Sequence, residues 1–166
     1  MAQKALKRKK QNQYLRCISE GESLVLDPTD GTELLADATD VFIDIDPDFK
    51  RWGITKKERA TQKQPVRVYE MIRDATFAQM FYSLSPKKQG FRLTQAQIKQ
   101  FIKKHQSWLR TDGYATFFLF KSNNQFFVAG VDLTSAGTLL VRVLRFANSH
   151  VWHAGYRLRL VVPKLA

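Results

Sequence analysis

The 166-residue chain has one cysteine, three histidines and no long apolar run, so it is short of the residues on which many activities are built. A lone thiol, Cys17, excludes an intramolecular disulfide and is expected to be a buried structural cysteine. His150 and His153 lie three apart in "HVWH". Such positions face opposite sides of an extended chain, so joint metal ligation there would need a turn. His105 falls on an apolar helix face and is expected to be a hydrogen-bonded core histidine. No Ser, Cys or Thr sits in a nucleophile motif, "DPTDG" lacks the glycine run and lysine of a phosphate loop, and nothing calls for a cofactor. No segment approaches the ~20 apolar residues of a spanning helix, so no membrane partner is expected. The basic N-terminus is not followed by an apolar core and a cleavage site, so cytoplasmic residence is expected.

Charge of one sign is missing from two long stretches. Residues 1–16 hold six basic groups and no acid, and residues 17–48 hold ten acids without one Lys or Arg. That leaves 21 of the 27 basic groups and five of the 15 acids for residues 49–166. The expected organisation is a flexible basic arm (1–13) and a single globular domain (14–166), with an acidic N-terminal segment (17–48) and a basic body (49–166). The acidic segment is expected to pack beside the body and reduce the self-repulsion of a chain with net charge +12.

Periodicity predicts an α+β fold. Pro28, Asp30 and Gly31 predict a hairpin turn after "SLVL", and the alternation of "DVFIDID" predicts a strand with Val41, Ile43 and Ile45 on one face. Residues 50–64 read as a cationic loop pinned by Trp52 and Ile54. A Pro at the first turn and apolar residues around most of the circumference predict a central helix over about 65–84. A second helix, about 95–110, carries a full entry signal: Thr94 and Gln97 as a reciprocal capping box, with Leu93 stapled to Ile98. Lys99, Lys103, Lys104 and Arg110 fall on its expected open face. Four short β-rich runs then predict an antiparallel meander of about four strands, with Arg157 and Arg159 on an open sheet face.

These cations carry the leading functional expectation, a small basic nucleic-acid-binding protein that meets backbone phosphates, RNA in preference to DNA. The expected binding residues are Lys7, Arg8, Lys9 and Lys10 of the arm, Lys99, Lys103 and Lys104 of the helix, and the sheet arginines Arg157 and Arg159. One alternative is a protein-interaction module or inhibitor acting on a nucleic-acid enzyme through its acidic and basic surfaces. Another is a Mg²⁺-dependent nuclease built on the Asp40–Asp48 cluster, with Asp44 and Asp46 as metal ligands sharing a strand face and Lys50 aligning a water.

"GYATFFLF", Gly113–Phe120, resembles the aromatic strand of the RNA-recognition motif, in which bases stack on a sheet. Asp112 stands where that motif has a cation, Thr116 shifts the strand parity, and the order of elements differs. Phe117, Phe118 and Phe120 are therefore expected to be core and edge residues.

Overall fold

The computed structural model describes residues 12–164, so Lys7, Arg8, Lys9 and Lys10 lie outside the described residues. The fold is α+β, an eight-stranded sheet with helices on both faces. Its strands are β1 (Leu15–Cys17), β2 (Leu24–Leu26), β3 (Asp44–Ile45), β4 (Gln64–Met71), β5 (Ala115–Ser122), β6 (Gln125–Leu133), β7 (Leu139–Arg145) and β8 (Arg159–Pro163). Its helices are α1 (Asp48–Arg51), α2 (Phe77–Leu84) and α3 (Gln95–Lys104). The order across the sheet is β1-β4-β8-β5-β6-β7-β3, with β2 paired to β4 beside β1.

Central strand β5 explains the three layers. Its residues Ala115–Phe120 are all buried, so neither face is open. One face packs Phe118, Phe120, Val68 and Val161 against Ile98 and Phe101 of α3 and Phe49 of α1. The other packs Phe117, Leu119 and Leu160 against Phe77, Met80 and Phe81 of α2 and against Trp152. Each such side chain contributes roughly 1.5–3 kcal/mol by leaving water. Two cores on one sheet need apolar residues at both parities, so β5 reads as a continuous apolar run.

The expected 65–84 helix is instead strand β4 followed by helix α2. Val66 and Val68 are buried on one face while Met71 packs on the other. A strand buried on both faces and a buried helix give the same apolar pattern. The break is "SPKKQG"-like in function but lies earlier, at Arg73–Ala75, and Thr76 opens α2 with its own capping box to Gln79. The expected hairpin after β2 does not form: Leu24–Leu26 pairs with β4. The strand expected over 41–46 shrinks to β3, parallel to β7: Ile45 packs on the core and Asp44 is exposed, as the alternation predicts, but residues 41–43 turn before the strand, leaving Phe42 buried and Ile43 exposed.

The second helix stops at Lys104, followed by a 3-10 turn over Gln106–Trp108, and its capping box is present in both directions. His105 Nε2 lies 3.2 Å from the Val25 carbonyl oxygen, the expected hydrogen bond, but the ring is half-buried and stands at the edge of the core. Cys17 is half-buried. Only three of the four expected meander strands form one. β5–β6–β7 are antiparallel neighbours, whereas β8 crosses back to lie parallel to β5 and antiparallel to β4. The β5–β6 turn is Asn123–Asn124, both at positive φ, the twist that a two-residue hairpin needs.

Candidate nucleic-acid interface

The acidic segment folds onto α3 and engages the lysines that sequence reading placed on an open face. Lys99 is buried, and its Nζ lies 3.2 Å from both Glu33 Oε1 and Asp40 Oδ1. Burial pulls the Lys99 pKa down, but the hydrogen bonds to Asp40 and Glu33 outweigh it and leave the ammonium above its ordinary value. Lys103 approaches Asp40 Oδ2 at 3.8 Å, and Lys104 donates to Asp27 Oδ2 at 3.2 Å and to the Val25 carbonyl at 3.1 Å. The expectation of an open lysine face on this helix is corrected at Lys99. A period-3.6 stripe shows which side chains share a face and cannot show that another segment covers it.

The sheet arginines part company. Arg157 is exposed in the left-handed region (φ 52°), just before β8. Arg159 is on the sheet but not on an open face: it donates to the Trp108 and Leu109 carbonyls at 2.9 and 3.3 Å and lies 3.6 Å from Glu70. Burial lowers its pKa from the ordinary arginine value, against the opposing pull of Glu70. Arg159 therefore ties the 3-10 turn to the sheet.

The Asp cluster is spread out. Asp46 Oδ1 accepts from the Asp48 amide at 2.9 Å and Oδ2 accepts from the Val143 amide at 3.1 Å, so it joins the start of α1 to β7. Asp48 faces Arg51 at 3.4 Å, Asp44 and Lys50 are exposed, and Asp40 points to α3. Among the described residues no group of three His, Cys, Asp or Glu side chains is placed to hold a metal ion. His153 pairs with Asp74 at 3.5 Å while His150 rests edge-on against Trp152.

Cations gather elsewhere. A cavity of about 310 Å³ opens between the 50–63 segment, the lead-in to α3 and the β5–β6 turn, lined by Arg59, Arg92, Lys121, Glu58, Asn123 and Asn124 among others. Each wall is fixed independently. The Leu93 amide donates to the Leu119 carbonyl at 2.9 Å, which sets Arg92 against β5, and Asn123 Nδ2 donates to the Gly53 carbonyl at 2.9 Å. Thr29 and Thr61 form an isolated bridge, and the Glu58 amide donates to the Gly31 carbonyl at 3.0 Å. Gly31, at φ 79°, lies so close to the Glu58 and Arg59 backbone that a Cβ would overlap it.

Among the described residues none of Arg59, Arg92 and Lys121 forms an ion pair with a carboxylate. Glu58 is the acid in the cavity, and its Oε2 accepts from the Gln95 amide at 2.6 Å, at the α3 N-terminus. Burial raises the Glu58 pKa despite that bond. Beside this hollow, Arg145 lies over the Trp52 ring at 4.5 Å and donates to Gln125 Oε1 at 3.0 Å.

A second feature occupies the opposite end of β5. Tyr114 and Tyr156 are exposed and stack, centroids 5.2 Å apart at an interplanar angle of 19°. Arg110 covers the Tyr114 ring at 4.9 Å and donates through Nε to the Tyr156 carbonyl at 3.1 Å. Exposed Arg157 follows directly in the chain. Phe117, Phe118 and Phe120 are fully buried, as expected, and offer no ring to a base.

Comparison with protein-family models, curated proteins and solved structures returned no match to this chain. Among the described residues, no helix is long and apolar enough to cross a membrane. Sequence reading missed Arg59, Arg92 and Lys121 as a group because they stand on three separate segments. Tyr114 and Tyr156 likewise meet only when β8 enters beside β5.

Proposed function

We propose that the protein binds nucleic acid through backbone phosphates, RNA in preference to DNA, and that the contact centres on the cavity end of the sheet. The observation that carries this is the division of the cations. The acidic segment neutralises the α3 lysines, while Arg59, Arg92 and Lys121 line one hollow without a paired carboxylate, Lys121 with its Nζ over the Phe126 ring at 5.6 Å. A surface of this kind releases counterions when it meets phosphates. The Tyr114–Tyr156 stack adds rings on which an unpaired base can rest, which favours single-stranded or irregular RNA over duplex. α3 does not serve as a groove-reading helix, because its lysines meet carboxylates and its apolar face meets the core.

Binding of a labelled single-stranded RNA at rising salt tests the reading. Each phosphate neutralised contributes a slope of about 0.7 log units in affinity per log unit of salt. Arg59→Ala, Arg92→Ala and Lys121→Ala should each flatten that slope, and Lys103→Ala should leave it nearly unchanged. Absence of binding, or affinity independent of salt, would overturn it. The interaction-module alternative needs the acidic segment as a free surface, and Asp27, Glu33 and Asp40 already face lysines of the same chain.

A further inference from the structure

We infer that the cavity formed by Arg59, Arg92 and Lys121 takes a terminal phosphate monoester, the phosphorylated end of a nucleic-acid strand. The inference rests on the nucleic-acid reading and deepens it, since it assigns the chemical group that this hollow receives.

Charge is the first reason. Three cations against the single carboxylate of Glu58 leave the cavity with a surplus of two positive charges. A phosphate monoester carries about −1.5 to −2 near neutral pH, because its second pKa is about 6. An internal phosphodiester carries one negative charge and would leave a cation unmatched.

Placement is the second reason. The three cations come from three segments, each held by its own contacts: Arg59 by the close approach of Gly31, Arg92 by the Leu93–Leu119 hydrogen bond, and Lys121 by its place in β5. Cations lining one cavity on walls held by separate contacts, with Lys121 Nζ over the Phe126 ring at 5.6 Å, give a positive potential that favours an anion there. Ser122 and Asn124 supply neutral polar groups on the same wall. Size is the third reason: about 310 Å³ lies at the small end of ligand cavities, room for a phosphate and part of its sugar.

The test uses the full chain and three versions of one labelled ten-nucleotide RNA: 5′-phosphorylated, 3′-phosphorylated and unphosphorylated at both ends. Anisotropy titrations should show one phosphorylated end binding about tenfold more tightly than the unphosphorylated strand, the scale of one or two charge-assisted hydrogen bonds. Arg92→Gln and Lys121→Gln should each erase most of that advantage while the unphosphorylated strand loses less. Equal affinity for all three strands, with salt dependence retained, would overturn the inference and leave the nucleic-acid reading standing. Failure of every strand to bind would overturn both. A free nucleoside monophosphate that binds as tightly as the phosphorylated strand would assign the cavity to a small metabolite, and the strand-end inference would fall.

Discussion

Lys99 Nζ and Asp40 Oδ1 lie 3.2 Å apart, joining the middle of α3 to a segment that contains no cation of its own. The lysine side chain is only 8% exposed whereas the carboxylate is 56% exposed, so the two partners respond differently to loss of the other. Without the ammonium, Glu33 and Asp40 turn to water, and Lys99→Met should cost only about 1 kcal/mol. Without the carboxylates, a buried charge is stranded, and the double variant Glu33→Gln, Asp40→Asn should lower the Tm further than Lys99→Met does. Thermal unfolding followed by circular dichroism separates the two. Asp40 is held below the ordinary carboxylate value by its Lys99 hydrogen bond, so its contribution is intact at neutral pH and disappears as pH falls through that lowered pKa. Lys99 is held above the ordinary lysine value, so its share persists until alkaline pH exceeds it.

Gly31 joins the acidic segment to the cavity wall. Its φ of 79° suits glycine, and a Cβ there would overlap the backbone of Glu58 and Arg59. Gly31→Ala should therefore cost about 2 kcal/mol or more, the range for strain combined with a forced backbone shift. Because the displaced residue is Arg59, RNA affinity should fall with stability. Gly137→Ala provides the control: it shares the positive φ but has open space around the added methyl, so it should lose stability without loss of RNA affinity.

The α+β class, the single strongest helix start and the core role of Phe117, Phe118 and Phe120 were legible in the sequence, because each rests on local chemistry. Thr94 and Gln97 need only each other to cap α3. Thr76 and Gln79 carry the same signature, hidden inside what looks like a longer helix. What was not legible depends on partners far along the chain. The 65–84 pattern cannot reveal that β8 will pair with Val66–Glu70, and the lysine stripe of α3 cannot reveal Asp27, Glu33 and Asp40 lying across it. The cavity cations were legible only as members of a basic composition, since Arg59, Arg92 and Lys121 share no spacing.

Asp132, on β6, gives a pH-dependent test of the other face of the sheet. Its Oδ1 is buried without a hydrogen-bond partner among the described residues, while Oδ2 lies 3.6 Å from Arg142. Burial raises its pKa above the ordinary 3.8, and Arg142 offsets this only in part. A carboxyl that binds its proton more tightly when folded destabilises the native state as pH rises from 3.8 through the raised value, and that cost is complete above it. Asp132→Asn removes the titration. Denaturant unfolding at pH 4 and pH 7 should show the variant gaining stability relative to the parent at the higher pH. A constant difference would show that the buried oxygen carries no such cost.

The Tyr114–Tyr156 stack makes a prediction separate from the phosphates. Base stacking on an aromatic ring contributes roughly 1–3 kcal/mol per base, and it requires an unpaired base and a ring but no hydroxyl. Tyr156→Ala should weaken single-stranded RNA binding by about fivefold or more and leave duplex binding almost unchanged, whereas Tyr156→Phe should retain both. Arg110 spans the two rings, stacked on one and hydrogen-bonded to the backbone of the other, so Arg110→Ala should loosen the platform as well as remove a charge. It should reduce both the affinity and the salt slope, where Tyr156→Ala reduces the affinity alone. Equal losses on duplex and single strand for Tyr156→Ala would mean that the ring supports the 154–157 turn and holds no base.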